Sequence, residues 1–311
     1  MSRTRRALVT GAGGFVGTHL CMALHADGWQ VCALGRRLPA NLAGVTELRH
    51  VDLRDREALN AAIGDIHPEA VVHLAASRTR ANDLEACRAA VDTNVVGTLN
   101  VIDACDRLND EVTLVVLGSA EEYGIQTAPF DEDRREHPVT AYGATKLAAT
   151  HLVQAMVRGE RLRAVVLRPS VVYGPGQHPD MFLPSLIRAL TAGERFPMSA
   201  GKQTRDFLYI TDLLSAIVKA MVAPEARGHI INVSSGEPVT LRQVARLVAG
   251  FVGADAEQLL DIGLRAYREG DVMDYRVGND VATRLLAWTP SVPLQDGLRA
   301  TVEHFRSTAL S

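Results

Sequence analysis

The chain has 311 residues, 47% of them hydrophobic and 22% charged, which is the composition of an ordinary globular protein and excludes a disordered or fibrous one. Lys and Arg total 33 against 36 Asp and Glu, a formal net charge of -3. This balance excludes the overall basic character of a nucleic-acid binder, so we expect a small-molecule partner and no nucleic acid.

No apolar run approaches the ~18 residues needed to cross a bilayer, so no membrane partner is expected. The basic start of the chain leads only to residues 7–10 before Gly11 interrupts the run, which is too short for a signal peptide. The 4 cysteines are widely separated and lack zinc-ligand spacing, so we predict reduced thiols and no metal site. Together these features predict a cytoplasmic protein.

Short apolar runs alternate with helical patterns over the first ~170 residues, which indicates repeated β-α-β units around a parallel sheet. Strands are predicted at 7–10, 30–34, 47–51, 70–74, 113–119 and 163–168. Helices are predicted at 15–26, 56–63, 85–105 and 141–157. The strands are rich in Val, Leu and Ala, so both faces of the sheet should be buried. The predicted fold class is α/β, a Rossmann-type doubly wound parallel sheet with a smaller α/β substrate-binding lobe.

Prolines and glycines divide the chain into shorter apolar segments after Pro169, which indicates a second lobe. A helix at 213–221 and a strand at 228–234 are expected to return to the first sheet. We therefore predict a Rossmann domain at 1–170, with 205–235 returning to it. The substrate-binding lobe is predicted to comprise 171–204 and 236–311.

Glycines follow the first predicted strand in a G-x-x-G-x-x-G spacing, at Gly11, Gly14 and Gly17. Glycine suits such a turn because the backbone bends sharply and approaches a pyrophosphate closely. The helix that starts at Phe15 and Val16 then offers free N–H groups to the anion. We predict that these five residues bind a dinucleotide; a tight turn without a ligand is the alternative.

The end of the second predicted strand bears on which dinucleotide binds. An acidic residue there would hydrogen-bond the ribose 2′-hydroxyl of NAD. This chain has Arg36 and Arg37 instead, and guanidinium groups can neutralise a 2′-phosphate. The sequence thus favours NADP(H) over NAD(H) for the domain at 1–170, with a solvated basic loop as the alternative.

Tyr142 and Lys146 lie four residues apart at the start of a predicted helix, hence on one face, and Ser119 ends the preceding strand. A tyrosine that exchanges protons near neutrality needs its pKa lowered by ~3 units, or ~4 kcal/mol. An ammonium ~4 Å away supplies ~4 kcal/mol at an effective dielectric constant of ~20. We predict that Ser119, Tyr142 and Lys146 are catalytic; alternatively, Tyr142 packs on the core and Lys146 is a solvated charge.

Together with the glycine turn, these residues resemble the short-chain dehydrogenase/reductase superfamily, and further segments identify the chain as a member of its extended branch, the NAD-dependent epimerase/dehydratase family. The resemblance implies that Tyr142 donates a proton, Lys146 also holds the nicotinamide ribose, and Ser119 hydrogen-bonds the reacting oxygen. It further implies a nucleotide-sugar substrate and a homodimer. The additional cofactor-binding residues that it implies are Asp52, Leu53, Leu74, Ala75, Ala76 and Asn94.

The segment 117–124 looks most like the GDP-6-deoxy-4-hexulose (GDP-4-keto-6-deoxymannose) reductases of that family. Ala120 replaces an Asp that 4,6-dehydratases commonly use, although Glu121 keeps the register of their Glu. The leading hypothesis is therefore an NADP(H)-dependent 4-ketoreductase of a nucleoside-diphosphate 4-keto-6-deoxyhexose. A 4-epimerase with retained NAD is the first alternative, followed by a 4,6-dehydratase, a non-sugar ketoreductase and a non-catalytic NADP-sensing protein.

Substrate contacts are expected from Ala120, Glu121 and Val171, the last at a position where related enzymes often have Asn. Glu122 is also expected to contact sugar hydroxyls, or else to belong to a solvated turn with Glu121. Arg205 and Arg268 are predicted to bind the diphosphate because a planar guanidinium matches phosphate oxygens; surface ion pairs are the alternative.

Overall fold

Seven parallel strands form the central sheet of the computed structural model, which describes residues 5–78, 83–108, 112–253, 255–268 and 270–309. The spatial order is β10-β6-β5-β4-β1-β2-β3. The strands are β1 (Arg6–Thr10), β2 (Gln30–Gly35), β3 (Glu47–His50), β4 (Ala70–His73), β5 (Thr113–Leu117), β6 (Ala164–Pro169) and β10 (Ile230–Val233). The strand order reverses direction between β1 and β4, and ligands of such sheets bind at the carboxyl ends of the strands near this point.

Helices cover both faces of this sheet. Successive side chains of β1 alternate between the two cores, with Ala7 and Val9 in one and Leu8 in the other. The first core packs under α1 (Phe15–Ala26), α7 (Ile210–Val222) and α9 (Asp280–Leu286). The second packs under α2 (Arg56–Ile66), α4 (Gly97–Asp106) and α5 (Ala141–Arg158).

A π-helical segment, Val91–Val96, interrupts the helix predicted at 85–105 and separates α3 (Leu84–Ala90) from α4. This local change is a correction to the prediction of one regular helix. Its physical reason is the extra residue in the turn, which lets the buried side chain of Asn94 reach partners outside the helix.

A smaller lobe stands beyond the carboxyl ends of the strands. Its three-stranded sheet has the order β11 (Pro238–Thr240), β9 (Thr204–Tyr209) and β7 (Val171–Tyr173), with β9 antiparallel to β11 and parallel to β7. A second pair, β8 (Phe196–Met198) and β12 (Leu260–Ile262), is parallel. The helices are α6 (Phe182–Thr191), α8 (Leu241–Val252) and α10 (Leu294–Ala309), and they share a separate apolar core with these strands.

The predicted fold class, a doubly wound parallel sheet with a smaller α/β lobe, is confirmed. The domain boundaries stay a prediction. Strand β5 ends two residues before the predicted limit because Ser119 caps a short 3-10 turn, Ala120–Glu122. Within the described part of the chain, no helix is both long and apolar enough to cross a membrane.

Candidate active site

The turn between β1 and α1 accepts only glycine at two of the predicted positions. Gly11 has φ +70°, and a Cβ there would lie 2.7 Å from the backbone N of Ala75. A Cβ on Gly17 would lie 2.3 Å from the carbonyl oxygen of Gly11. Helix α1 starts against this turn, and its N-cap, Gly14, makes no side-chain hydrogen bond to the first N–H groups. These donors are therefore free to bind an anion.

A groove of about 370 Å³ runs from this turn across the carboxyl ends of β2, β3 and β4. It is lined by predicted cofactor residues from four separate stretches of sequence: Gly11, Gly14, Arg36, Arg37, Asp52, Leu53, Leu74, Ala75 and Ala76. The lining residues that sequence reasoning missed lie beside or near predicted ones: Gly13, Leu34, Gly35, Leu38, Val51 and Thr93. The other predicted cofactor residues are not part of the lining: Phe15, Val16, Gly17, Asn94, Tyr142 and Lys146.

The groove suits a dinucleotide, because at the glycine turn it lies beside the first N–H groups of α1, which no side chain caps. At its far end Arg36 and Arg37 are exposed. Asp52 is the one carboxylate among the described lining residues, and it accepts a hydrogen bond of 2.6 Å from Nη2 of Arg54. Hydrogen bonding to Arg54 lowers the pKa of Asp52 to about 2.

Asn94 and His73 connect the region beside the groove to two helices, α5 and α4 respectively. The Asn94 side chain donates to the Thr145 hydroxyl of α5 (2.9 Å) and bonds both backbone polar groups of Ser77. The hydroxyl of Thr98 donates to the carbonyl of Asn94, so it must accept from Nε2 of His73 (3.0 Å). Burial lowers the pKa of His73 to about 3, which makes this histidine a neutral structural link.

The three predicted catalytic residues come together at the carboxyl end of β5. Ser119 caps the 3-10 turn, accepting from the N–H of Glu121 (3.1 Å), and its side chain is close enough to Tyr142 to act on the pKa of that phenol, in the lowering direction. Tyr142 lies in the first turn of α5, which Thr140 caps by accepting from the N–H of Gly143. Lys146 follows one turn later and is 3% exposed.

The charges around these residues do not lower the pKa of Tyr142. Its pKa is raised above the ordinary value by burial and then by the carboxylate of Glu121, whereas Arg78 opposes this rise. Burial lowers the pKa of Lys146 to about 8, and the carboxylate of Glu122 opposes that fall. The expectation that Lys146 makes Tyr142 more acidic is thus not met by the protein groups alone, because desolvation dominates.

The predicted substrate residues fall into different environments. Glu121 is half-exposed, ion-paired with Arg78 at 3.6 Å, whereas Ala120 is fully buried and Val171 is half-buried in β7. Arg78, which sequence reasoning missed, also reaches the sulfur of Met181 in the smaller lobe (3.2 Å). No local signal pointed to Arg78, since its partners lie far away in sequence.

The two arginines predicted to bind a diphosphate differ in whether protein groups already bind their guanidinium groups. Arg205 is ion-paired with Asp271 and donates to the carbonyls of Thr204 (2.6 Å) and Val272 (2.7 Å). Arg268 is exposed in the loop after β12. Arg205 is therefore occupied by protein groups, while Arg268 is open to solvent.

Glu122 does not lie in the substrate space. Its side chain is 0% exposed and is ion-paired with Arg168, which is also 0% exposed. The interpretation of Glu122 as a substrate contact or a solvated residue is wrong, because the 3-10 turn directs its carboxylate back under the sheet edge.

Comparison with known proteins places this site in context. The NAD dependent epimerase/dehydratase family matches residues 7–234. The UDP-glucose 4-epimerase of Mycolicibacterium smegmatis is 30% identical over 97% of this chain and 99% of its own. The probable UDP-glucuronate 4-epimerase of Rhizobium meliloti is 29% identical over 96% of both chains. Among solved structures, MoeE5 in complex with UDP-glucose and NAD has a TM-score of 0.88 and 32% identity, with 98% of this chain and 100% of that chain covered.

Proposed function

This chain belongs to the NAD dependent epimerase/dehydratase family, and on that premise we propose that it is a nucleotide-sugar 4-epimerase that retains its dinucleotide between turnovers. The observation that carries the proposal is the placement of Ser119 close enough to Tyr142 to act on its pKa, with Lys146 one turn along α5, at the same sheet edge as the groove. Relatives named as 4-epimerases of UDP-glucose and UDP-glucuronate match nearly the whole chain, which supports a UDP-linked hexose as substrate.

In this proposal Tyr142 takes the proton of the sugar 4-hydroxyl and later returns it to the same oxygen. The hydroxyl of Ser119 donates a hydrogen bond to that oxygen. This bond keeps C4 in place while the sugar turns to present its opposite face. Lys146 holds the nicotinamide ribose and supplies a positive charge beside the reacting groups. A dinucleotide held in the groove, with its nicotinamide ribose bound by Lys146, would supply a reversible acceptor for the hydride of C4.

The N–H groups of Phe15 and Val16 at the start of α1, beside the glycine turn, would hold the pyrophosphate of the dinucleotide. Leu53, Leu74 and Ala75 line the groove where the adenine and the adjoining ribose would lie. NAD is the cofactor that the solved relative MoeE5 contains, which supports NAD for a 4-epimerase of this family.

The second candidate function is the NADP(H)-dependent 4-ketoreductase of a nucleoside-diphosphate 4-keto-6-deoxyhexose. The observation that favours it is the pair Arg36 and Arg37, exposed at the groove end where an NAD enzyme would present an acid. Asp52 does not replace that acid, since Arg54 already engages its carboxylate.

Cofactor identity and product separate the two candidates. The purified protein is denatured and the released dinucleotide is identified by chromatography; fresh protein is then incubated with UDP-glucose or UDP-glucuronic acid and followed by NMR. We expect bound NAD and inversion at C4 of one of these sugars. Protein that arrives without NAD and oxidises NADPH with GDP-4-keto-6-deoxymannose would overturn the epimerase proposal and support the reductase.

The arginine pair supplies a further check on the second candidate. Replacing both, Arg36→Ala with Arg37→Ala, should weaken NADPH binding at least ~10-fold relative to NADH if these guanidiniums hold a 2′-phosphate. Equal changes for both dinucleotides would contradict that role.

A further inference from the structure

The carboxylate of Glu122 joins the two elements that carry the catalytic side chains. One oxygen, Oε1, accepts from the backbone N–H of Ser119 at 2.8 Å. The other, Oε2, accepts from the hydroxyl of Thr150 on α5 at 2.9 Å. Because Tyr142 and Lys146 lie on the same helix, this one side chain fixes the Ser119 turn relative to both of them.

Arg168 holds the carboxylate from the third side. Its Nε donates to Oε2 of Glu122 at 2.8 Å, and its Nη2 donates to Glu136 at 2.7 Å. The guanidinium also lies 4.9 Å from the ring centroid of Tyr123. A charge pair taken fully out of water is favourable only when its geometry and hydrogen bonds are good. Here both oxygens of Glu122 accept hydrogen bonds, and Arg168 donates through Nε and Nη2, while its buried Nη1 has no hydrogen-bond partner among the described residues.

The backbone leaves room for this carboxylate. A Cβ on Gly118 would lie 2.7 Å from Oε1 of Glu122 and 3.2 Å from Cγ of Arg168. The glycine that follows β5 therefore leaves space for the buried carboxylate, whereas Gly11 and Gly17 leave space for backbone atoms.

Glu122 also acts on Lys146 through its charge. Burial disfavours the ammonium of Lys146, and the carboxylate of Glu122 is the charge that raises its pKa against that effect. The other titratable groups near Lys146 are His73, which is neutral, and Tyr142 on the same helix.

We propose that Glu122 is a positioning residue of this active site, which orients Ser119 against α5 without touching the substrate. The inference rests on the proposed function only in assuming that Ser119 and Tyr142 act on the sugar oxygen. It assigns the second glutamate of residues 118–124 a role different from that of Glu121, which faces Tyr142 and Arg78.

The variant Glu122→Gln tests the proposal, because it keeps the size of the side chain but leaves only one acceptor oxygen and no charge. We expect kcat to fall about 10- to 100-fold, the range seen when an outer partner of a site residue is removed, with KM and retained dinucleotide nearly unchanged. The rate of nicotinamide reduction in a single turnover is measured with wild type and variant side by side.

Glu136→Gln is the matched control, since it removes the other carboxylate of Arg168, and Glu136 makes no hydrogen bond or ion pair with Ser119 or α5 in the described part of the chain. Both variants should lower the melting temperature, because each leaves Arg168 short of one charged partner. We expect kcat of Glu136→Gln to stay within about two-fold of wild type, since a change away from the reacting groups affects mainly stability. Equal losses of kcat in the two variants would overturn the proposal and make Glu122 a stability residue only.

Thr150→Val provides a milder change if Glu122→Gln folds poorly. It removes one hydrogen bond to the carboxylate and should lower kcat about 2- to 10-fold, the equivalent of one ordinary hydrogen bond. A kcat equal to that of wild type, in a folded Thr150→Val variant, would contradict the proposal.

Hydrogen exchange separates this inference from the proposed function. The amide of Ser119 donates to Glu122, so its exchange should be faster in Glu122→Gln and unchanged in Glu136→Gln, whatever reaction the protein catalyses. Unchanged exchange in Glu122→Gln would overturn the positioning role. A wild-type protein that reduces its nicotinamide but yields no C4 epimer would instead overturn the proposed function and leave the role of Glu122 standing.

Discussion

The glycine turn and the buried charges under the Ser119 turn lie along the same edge of the sheet but are built on opposite physical principles. At the glycine turn, side chains are absent so that the backbone of β1 and α1 can meet at Gly11 and Gly17. Under the Ser119 turn, Glu122 and Arg168 are packed without solvent contact. The first region leaves backbone donors open to a ligand, whereas the second uses its donors and acceptors to hold catalytic side chains in place.

One active site can therefore combine residues whose conformation is set by near neighbours with residues that are held in place by elements distant in sequence. The glycines act on their immediate neighbours in the chain and on one adjacent strand. The buried charges act across elements that are distant in sequence, from Glu122 to Arg168 and from Ser119 to α5. Substitutions at Tyr142, Gly17, Lys146 and Arg54 separate these two kinds of residue.

Removing the phenolic hydroxyl should have the largest effect. In Tyr142→Phe we expect kcat to fall about 10²- to 10⁴-fold, because the general acid-base contribution is lost while the ring still packs. Steady-state turnover of the nucleotide sugar measures this loss. Activity within a few-fold of wild type would show that another group carries the proton and that the site is misassigned.

A methyl group in the glycine turn should disrupt folding and dinucleotide binding together. Gly17→Ala places a Cβ 2.3 Å from a backbone oxygen that cannot move aside, so we expect a destabilisation on the order of 3 kcal/mol. Gly64→Ala in α2 is the control, because its Cβ would meet nothing within 4 Å and alanine favours a helix. Chemical denaturation measures the free energy of unfolding of both variants. Equal values for the two would contradict the steric argument.

Burial of the Lys146 ammonium should lower the stability of the folded protein, although the proposed reaction needs this residue. Its pKa in the folded protein, about 8, lies below the ordinary value of 10.5, so below pH 8 the folded protein bears the full cost of holding a buried ammonium. The cost, on the order of 3 kcal/mol, disappears as the pH rises from 8 to 10.5, because the unfolded chain then loses the proton as well. We expect Lys146→Met to be inactive and more stable than wild type at pH 7.

The pH dependence checks the sign of that effect. Denaturation midpoints of Lys146→Met and wild type should approach each other between pH 8 and pH 10.5. A variant that is less stable than wild type at pH 7 would mean that the ammonium stabilises the fold, and that burial does not dominate its energetics.

The exposed ion pair at the groove should matter least. Arg54 pairs with Asp52 in a half-exposed position, where solvent and salt screen the attraction. We expect Arg54→Ala to leave the melting temperature at pH 7 unchanged within error. The variant should nevertheless raise the pKa of Asp52 from about 2 towards its ordinary value, and NMR titration of the carboxyl measures that shift.

Most of the fold was predictable because its signals are local. Helix α1 was predicted with its exact limits, since the glycine turn precedes it and its apolar positions recur at helical spacing. The π-helical segment was not predicted, because its cause is the set of partners that Asn94 finds in Ser77 and Thr145. Those partners belong to other elements, and no spacing within the helix indicates them.

The candidate site divides in the same way. Ser119, Tyr142 and Lys146 could be proposed from residue type and spacing, and the structure brings them to one strand end. Neither the ion pair of Arg78 with Glu121 nor the burial of Glu122 could be proposed, because adjacent glutamates look equivalent in sequence. The 3-10 turn alone sends one towards Tyr142 and the other under the sheet.

The sequence by itself determined the class of fold, the glycine turn and the types of side chain available for chemistry, because these depend on local periodicity and on the conformational demands of single residues. Only the tertiary structure decided which charges are solvated and which are buried. Burial depends on every element that packs around a group, and it sets whether Lys146 keeps its proton, whether Arg205 is free, and whether Glu122 meets a substrate or Arg168.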